Sequence, residues 1–221
     1  MLLRHGRTAD NLDGRIQGQL DTPLDEVGRA QAVVAAAALA PTDPYAVVTS
    51  SLARARVTAE AVGSVVGLRP LCDPRLAELD LGTWQCLTAA EVEVRFPDEY
   101  AAWRAGRDAR RGGGETYREA GDRAVAFLLE QLEPVPPGRT LLAVTHGGTA
   151  RAALGTLLGL PQETWGRLVA LGNCCWSVLV EGDVGWRLEV HNAGGPASPG
   201  GRPVGPGARS EADARPAPGP L

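Results

Sequence analysis

TLLAVTHGGTAR, residues 140–151, sets a short apolar run directly before a histidine and a pair of glycines. Thr140 to Thr145 reads as a buried β-strand, and His146 falls at its end. The chain opens the same way, with Met1 to Leu3 as a strand followed by Arg4, His5 and Gly6. Further β-like runs occur at Ala46 to Thr49 and Arg69 to Cys72, and Ser177 to Glu181 pairs with Gly185 to Val190 across a Gly-Asp turn. Helical patterns fill the intervals. Asp25 can cap a helix running to about Ala40, Ala53 to about Val66 forms another, and Thr88 with Glu91 and Thr116 with Glu119 fit the capping box. Strands spaced by helices predict an α/β fold, a three-layer α/β/α sandwich around a mostly parallel central sheet.

The 221 residues, 44% of them hydrophobic, suit one folded domain. Apolar periodicity stops near Ala193, after which Gly and Pro dominate, so residues 1–192 are expected to fold and residues 193–221 to form a disordered Gly/Pro-rich tail. A net charge of -4 argues against nucleic acid and anionic membranes as partners. All 22 basic residues are Arg. Without lysine there is no Walker-type phosphate loop, no pyridoxal-phosphate Schiff base and no lysine nucleophile. No apolar run reaches the roughly 18 to 20 residues that span a bilayer, and the first residues lack a signal-peptide pattern, so a cytoplasmic protein is expected. Cys72, Cys86, Cys174 and Cys175 form neither a disulfide framework nor zinc spacing and are expected to be small buried apolar residues.

In a parallel sheet the ligand crevice lies beyond the carboxyl ends of the strands. Arg4 and His5, the segment Ser50 to Arg54, and His146 all fall there. Two strand-end histidines, each followed by a glycine that permits close backbone approach, point with their neighbouring arginine to one reactive site. Arg54 and Arg56 start the same helix, and Glu78 and Asp80 are both candidate proton donors. The residues alone leave both choices open.

The segment LLRHGRTADNLDGRIQGQLDTPLDEVGRAQA (2–32) resembles the opening of the histidine phosphatase superfamily, which includes the cofactor-dependent phosphoglycerate mutases. TSSLARARVTA (49–59), RLAELDLGTWQ (75–85), GGGET (112–116) and AVTHGGTAR (143–151) resemble that family's further motifs, in order. The resemblance implies a phosphoglycerate mutase-like fold and His5 as a nucleophile carrying a phosphohistidine. It implies Arg4 and Arg54 as phosphate clamps and His146, as an imidazolium, as the third. Its motif register selects Arg54 over Arg56, and Glu78 over Asp80 as a proton donor with a raised pKa. Thr8, Asn11, Gln17 and Gly147 are expected to contact phosphate or substrate. Phosphoryl transfer needs such a nucleophile, fixed positive groups around the equatorial oxygens and an acid for the leaving group. Arginine's planar fork suits the second task. No metal and no other cofactor is expected.

Leu79 and Leu81 stand where the mutases have substrate-holding Arg and Tyr, so hydrolysis is expected over mutase chemistry. A phosphoglycerate mutase and a non-catalytic phospholigand binder of the same fold are the alternatives. GRIQGQLDT, LGTWQ, LGNCCW and GWRLEVHNA are similar to the actinobacterial glucosyl-3-phosphoglycerate phosphatases, which implies a small phosphomonoester substrate and a homodimer. Arg104, Arg107, Arg110 and Arg111 read either as a solvated helical face or as contacts for a substrate carboxylate. His191 and the tryptophans, including Trp84, read as structural. Cys86 replaces the glycine usual in the family's W-x-G-L-T, so an altered turn is expected there. Only four residues precede His5, so the first strand is expected to be short, with a true start upstream.

Overall fold

The computed structural model describes residues 1–194. Strands β1 (Leu2–Arg4), β2 (Ala46–Ser50), β3 (Leu71–Asp73), β4 (Leu141–Thr145), β5 (Cys175–Gly182) and β6 (Gly185–Gly194) form one sheet in the order β3-β2-β4-β1-β5-β6. The first four strands of that order run parallel, and β5 and β6 run antiparallel to their neighbours. Helices are α1 (Ala9–Leu12), α2 (Glu26–Leu39), α3 (Ala53–Val66), α4 (Ala89–Arg95), α5 (Pro97–Arg104), α6 (Tyr117–Leu132) and α7 (Gly147–Leu157).

Alternation along the strands assigns the layers. Leu2, Val48, Leu141 and Ala143 face Phe127 and Leu128 of α6 and Leu154 of α7. Leu3, Val47, Leu142 and Val144 face the opposite way, onto Ala36 and Leu39 of α2 and Ala55, Ala59 and Val62 of α3. The result is an α/β sandwich whose central strand β4 is buried along its whole length. Each fully buried leucine, such as Leu142, contributes about 1.5–3 kcal/mol by leaving water.

Asp25 caps α2 through Gly28 N at 2.6 Å, and the boxes at Thr88/Glu91 and Thr116/Glu119 cap α4 and α6 as the pattern predicts. The segment after His5 is not wholly loop. Thr8 and Asn11 form a reciprocal capping box that starts the short helix α1.

Register positions the site. Arg4 pairs with Thr145 across β1 and β4, so the next residues, His5 and His146, leave the sheet side by side. Their ring centroids lie 5.0 Å apart.

Strand β6 runs to Gly194, two residues beyond the expected domain end. The expected tail beyond it lies outside the described residues. Cys174 and Cys175 are buried as expected, whereas Cys72 and Cys86 are exposed. The turn at Cys86 keeps a left-handed backbone, φ 68°, which suits glycine and strains a residue with a Cβ. Among the described residues no helix is long and apolar enough to cross a membrane.

Candidate active site

A cavity of about 470 Å³ opens at the carboxyl ends of β1 and β4. Among the residues that line it are Arg4, Arg15, Arg54, Arg111 and Arg151, against the carboxylates Asp10 and Glu78. In a chain of net charge -4 this is a local positive field suited to a small anion.

His5 is 2% exposed, and its Nδ1 lies 2.7 Å from Gly6 O. A carbonyl oxygen only accepts, so Nδ1 carries the proton and Nε2 keeps its lone pair. Burial, reinforced by the Arg4 and Arg54 charges, holds the pKa well below the ordinary histidine range and keeps the ring neutral. The backbone around it is tied down. His5 N donates to Thr145 O at 3.1 Å, and His5 O accepts from Cys174 N at 3.2 Å and Asn173 Nδ2 at 3.1 Å.

Arg54 is 1% exposed on the first turn of α3. It donates from Nε to His146 Nδ1 at 3.2 Å, from Nη1 to Leu20 O at 2.5 Å and from Nη2 to Gly18 O at 2.8 Å. Each terminal nitrogen retains one further N–H for a ligand. Desolvation pushes its pKa down to about 10, still far above neutrality. Arg4 donates to Leu171 O at 2.6 Å and lies beside the first residue of α7.

His146 caps the start of α7 but does not line the cavity; it is fully buried behind Arg54. The imidazolium expected there is not what the surroundings favour. Burial first, then Arg54, His5 and Arg4, hold its pKa well below the usual value, so the ring is neutral. In this state it supports Arg54.

Glu78 enters from the segment after β3. Its Oε2 accepts from Gly148 N at 2.9 Å, and its Oε1 accepts from Thr149 N at 2.9 Å and from the Thr149 hydroxyl at 3.1 Å. The first turn of α7 thus docks the Glu78 carboxyl group beside the cavity. Asp80 instead accepts from Gly82 N at 2.8 Å and shapes the turn.

The other expected contacts divide. Asn11, Gln17 and Gly147 line the cavity. Among the described residues Gln17 Oε1 is buried without a hydrogen-bond partner, which fits an atom awaiting a ligand. Thr8 is not among the residues that line the cavity: it is fully buried at the start of α1, where its hydroxyl accepts Asn11 N at 3.2 Å. Trp84 also lines the cavity, with its Nε1 buried and without a hydrogen-bond partner among the described residues. His191 bonds Ser177 Oγ at 2.9 Å and Val169 O at 2.8 Å, away from the cavity. Of the four arginines from 104 to 111, Arg104 alone lies in a helix, and Arg111 is buried against the cavity. Asn173, not singled out from the sequence, holds both His5 O and Asn11 Oδ1, each at 3.1 Å. Only the folded contact between the β1 end and the turn before β5 reveals it.

The family description "Histidine phosphatase superfamily (branch 1)" matches residues 1–194. The chain belongs to the histidine phosphatase superfamily. This histidine phosphatase is 39% identical over 210 residues to a glucosyl-3-phosphoglycerate phosphatase of Mycolicibacterium vanbaalenii, covering 87% of this chain and 93% of the relative. It is 38% identical over 181 residues to a probable phosphoglycerate mutase of Yersinia enterocolitica, covering 80% of this chain and 81% of the relative. A solved mycobacterial glucosyl-3-phosphoglycerate phosphatase complexed with VO3 superimposes with a TM-score of 0.82 at 40% identity, covering 87% of this chain and 98% of that one. The chain is a phosphoric monoester hydrolase of the histidine phosphatase type.

Proposed function

We propose that this histidine phosphatase removes phosphate from glucosyl-3-phosphoglycerate or a closely similar small phosphomonoester, through a phosphohistidine on Nε2 of His5 and without a metal. The observation that carries the reading is the 2.7 Å contact from His5 Nδ1 to Gly6 O, which commits the ring to the tautomer with a nucleophilic Nε2. The likeness to the mycobacterial phosphatases supports the substrate.

Arg4 and Arg54 hold the phosphoryl oxygens while Nε2 bonds to phosphorus and the bond to the ester oxygen breaks. Glu78 gives its proton to the departing alkoxide. It then takes a proton from the water that attacks the phosphohistidine, so phosphate leaves and the neutral imidazole returns. Neutral His146 keeps Arg54 aimed. Asn11, Gln17 and Gly147 contact the phosphate or the substrate rim. The protein acts in the cytoplasm as a homodimer and binds neither nucleic acid nor membrane.

The test is phosphate release, with a chelator present, from glucosyl-3-phosphoglycerate, 3-phosphoglycerate and p-nitrophenyl phosphate, alongside a His5→Ala variant. Chelator-resistant preference for the glucosylated ester, abolished in the variant, with an acid-labile phosphoenzyme trapped on His5, is expected. Interconversion of 2- and 3-phosphoglycerate without phosphate release would instead favour a mutase. Loss of activity in chelator would refute the metal-free mechanism.

A further inference from the structure

Asn173 sits in the turn that joins Ala170, on the cavity wall, to the start of β5. The turn is pinned on both sides. Gly172 N donates to Asn192 Oδ1 at 2.8 Å, and Cys175 N donates to Gly172 O at 3.0 Å. Toward β1, Cys174 N donates to Arg4 O at 3.1 Å and His5 O at 3.2 Å, and Leu171 O accepts from Arg4 Nη1 at 2.6 Å. These contacts carry Asn173 against the end of β1 without using its side chain.

The sense of each side-chain amide follows from backbone partners that act in one direction only. Thr8 N can only donate, so the Asn11 atom 3.2 Å from it is the oxygen Oδ1. His5 O can only accept, so the Asn173 atom 3.1 Å from it is the nitrogen Nδ2. That nitrogen has two hydrogens, and the second meets Asn11 Oδ1 at 3.1 Å. Both lone pairs of Asn11 Oδ1 are then engaged, one by Thr8 N and one by Asn173 Nδ2. What Asn11 retains for a ligand is Nδ2 with its two N–H groups, and Asn11 lines the cavity with His5 and Arg54. Turning its amide by half a rotation would set donor against donor at both Thr8 N and Asn173 Nδ2.

We infer that Asn173 is a positioning residue for the phosphatase reaction: through its one Nδ2 it fixes the Asn11 amide with both N–H groups available to phosphoryl oxygens, and it holds the carbonyl of His5 at the same time. A phosphoryl group offers only acceptors, so an amide free to turn would oppose Oδ1 to it for part of the time. Ordering the donors before the ligand arrives removes that cost from binding. Cys174 N stays on His5 O without Asn173, so loss of the Asn173 side chain falls mainly on Asn11. The inference rests on the reading in which Asn11 contacts the phosphate.

The experiment is a double-mutant cycle on the binding of inorganic phosphate, read by calorimetry on the full chain. Asn11→Ala is expected to weaken phosphate about tenfold or more, as a lost bond to a charged group, and Asn173→Ala about fivefold. In the Asn11→Ala background, Asn173→Ala is expected to cost less than about twofold, because the amide that it orients is gone. A merely structural role for Asn173 would lower affinity by the same factor with or without Asn11, and that result overturns the inference. Unchanged affinity in Asn173→Ala overturns it as well. Should Asn173→Ala fail to fold, Asn173→Ser takes its place in the cycle: its hydroxyl has one hydrogen for two acceptors, so the same non-additivity is expected, and additive factors there overturn the assignment. If Asn11→Ala leaves phosphate affinity unchanged, the phosphate contact given to Asn11 falls and this inference falls with it. Absence of a trapped phosphoenzyme on His5 would strike the phosphohistidine mechanism alone, since the cycle reads binding.

Discussion

Arg54 Nε stands 3.2 Å from His146 Nδ1. A guanidinium can only donate, so that ring nitrogen accepts, and the neutral ring carries its proton on Nε2, 2.8 Å from Ser50 Oγ. His5 has the opposite tautomer, with its proton on Nδ1 facing Gly6 O. Two imidazoles side by side at the strand ends are thus set to different tasks by their second partners. One lines the cavity with Nε2 unprotonated, and the other anchors Arg54, which we propose as part of the phosphate clamp.

Ser50→Ala removes the acceptor of a fully buried N–H on His146 and also the partner of Leu52 N at 3.2 Å. A buried donor left unsatisfied costs about 1–3 kcal/mol. Urea unfolding should show a loss in that range, and kcat/KM should fall about tenfold or more as Arg54 loses its support. Unchanged stability would mean that the His146 ring finds another acceptor.

Stability should also decline in mild acid. Both His5 and His146 are held neutral, with pKa values well below 6.5. As pH falls through about 6.5, histidines of the unfolded chain take up protons that these two refuse in the folded state, so the folded state loses ground. The slope should approach about 1.4 kcal/mol per pH unit for each histidine. It continues until pH reaches the folded values, and the stabilisation is fully present above the unfolded value. Urea midpoints between pH 7.5 and 5 measure it, and a double His5→Gln, His146→Gln variant should flatten the dependence. An equal slope in that variant would place the effect elsewhere.

The sheet could be read from residue order because β4 and β1 are continuous apolar runs that end in His-Gly, and because each helix carries a local cap. Helix α1 escaped notice since its box uses Asn11 where Glu or Gln is usual, and it spans only four residues. Arg4 and Arg54, the proposed clamp, came from the resemblance to the family's motifs, and each does line the cavity. What spacing could not supply are states fixed by non-local partners. The neutral charge of His146 depends on burial beside Arg54, and the burial of Arg111 depends on a loop pinned to residues 80–83. Asn173 likewise meets His5 across 168 residues of chain.

Gly148 has a steric reason to lack a side chain. A Cβ there would sit 2.6 Å from Glu78 Oε1 and 2.8 Å from Leu79 Cδ1. Gly148→Ala should push the Glu78 carboxylate off the start of α7 while leaving Arg4 and Arg54 in position. Since acid–base groups contribute about 100-fold or more, kcat should fall by that much with phosphate affinity changed less than about threefold. Loss of phosphate affinity in parallel would show that the substitution disturbs the clamp as well.

Arg123 ties the acidic segment to α6. Its Nε and Nη2 each donate to Glu115 at 2.8 Å, its Nη1 donates to Arg75 O and Ala77 O at 2.7 and 2.9 Å, and its Nη2 reaches Glu78 O at 3.2 Å. The backbone on both sides of the Glu78 carboxylate therefore depends on one planar donor set. Lysine keeps the charge but has three donors on a single nitrogen, so Arg123→Lys must leave carbonyls or the Glu115 carboxylate unmet. A loss of about 2–3 kcal/mol in unfolding free energy is expected, the sum of a few weakened and partly solvated bonds. Because the segment carries Glu78, kcat should fall more than KM rises. If KM alone changes, Arg123 positions the substrate and not the acid.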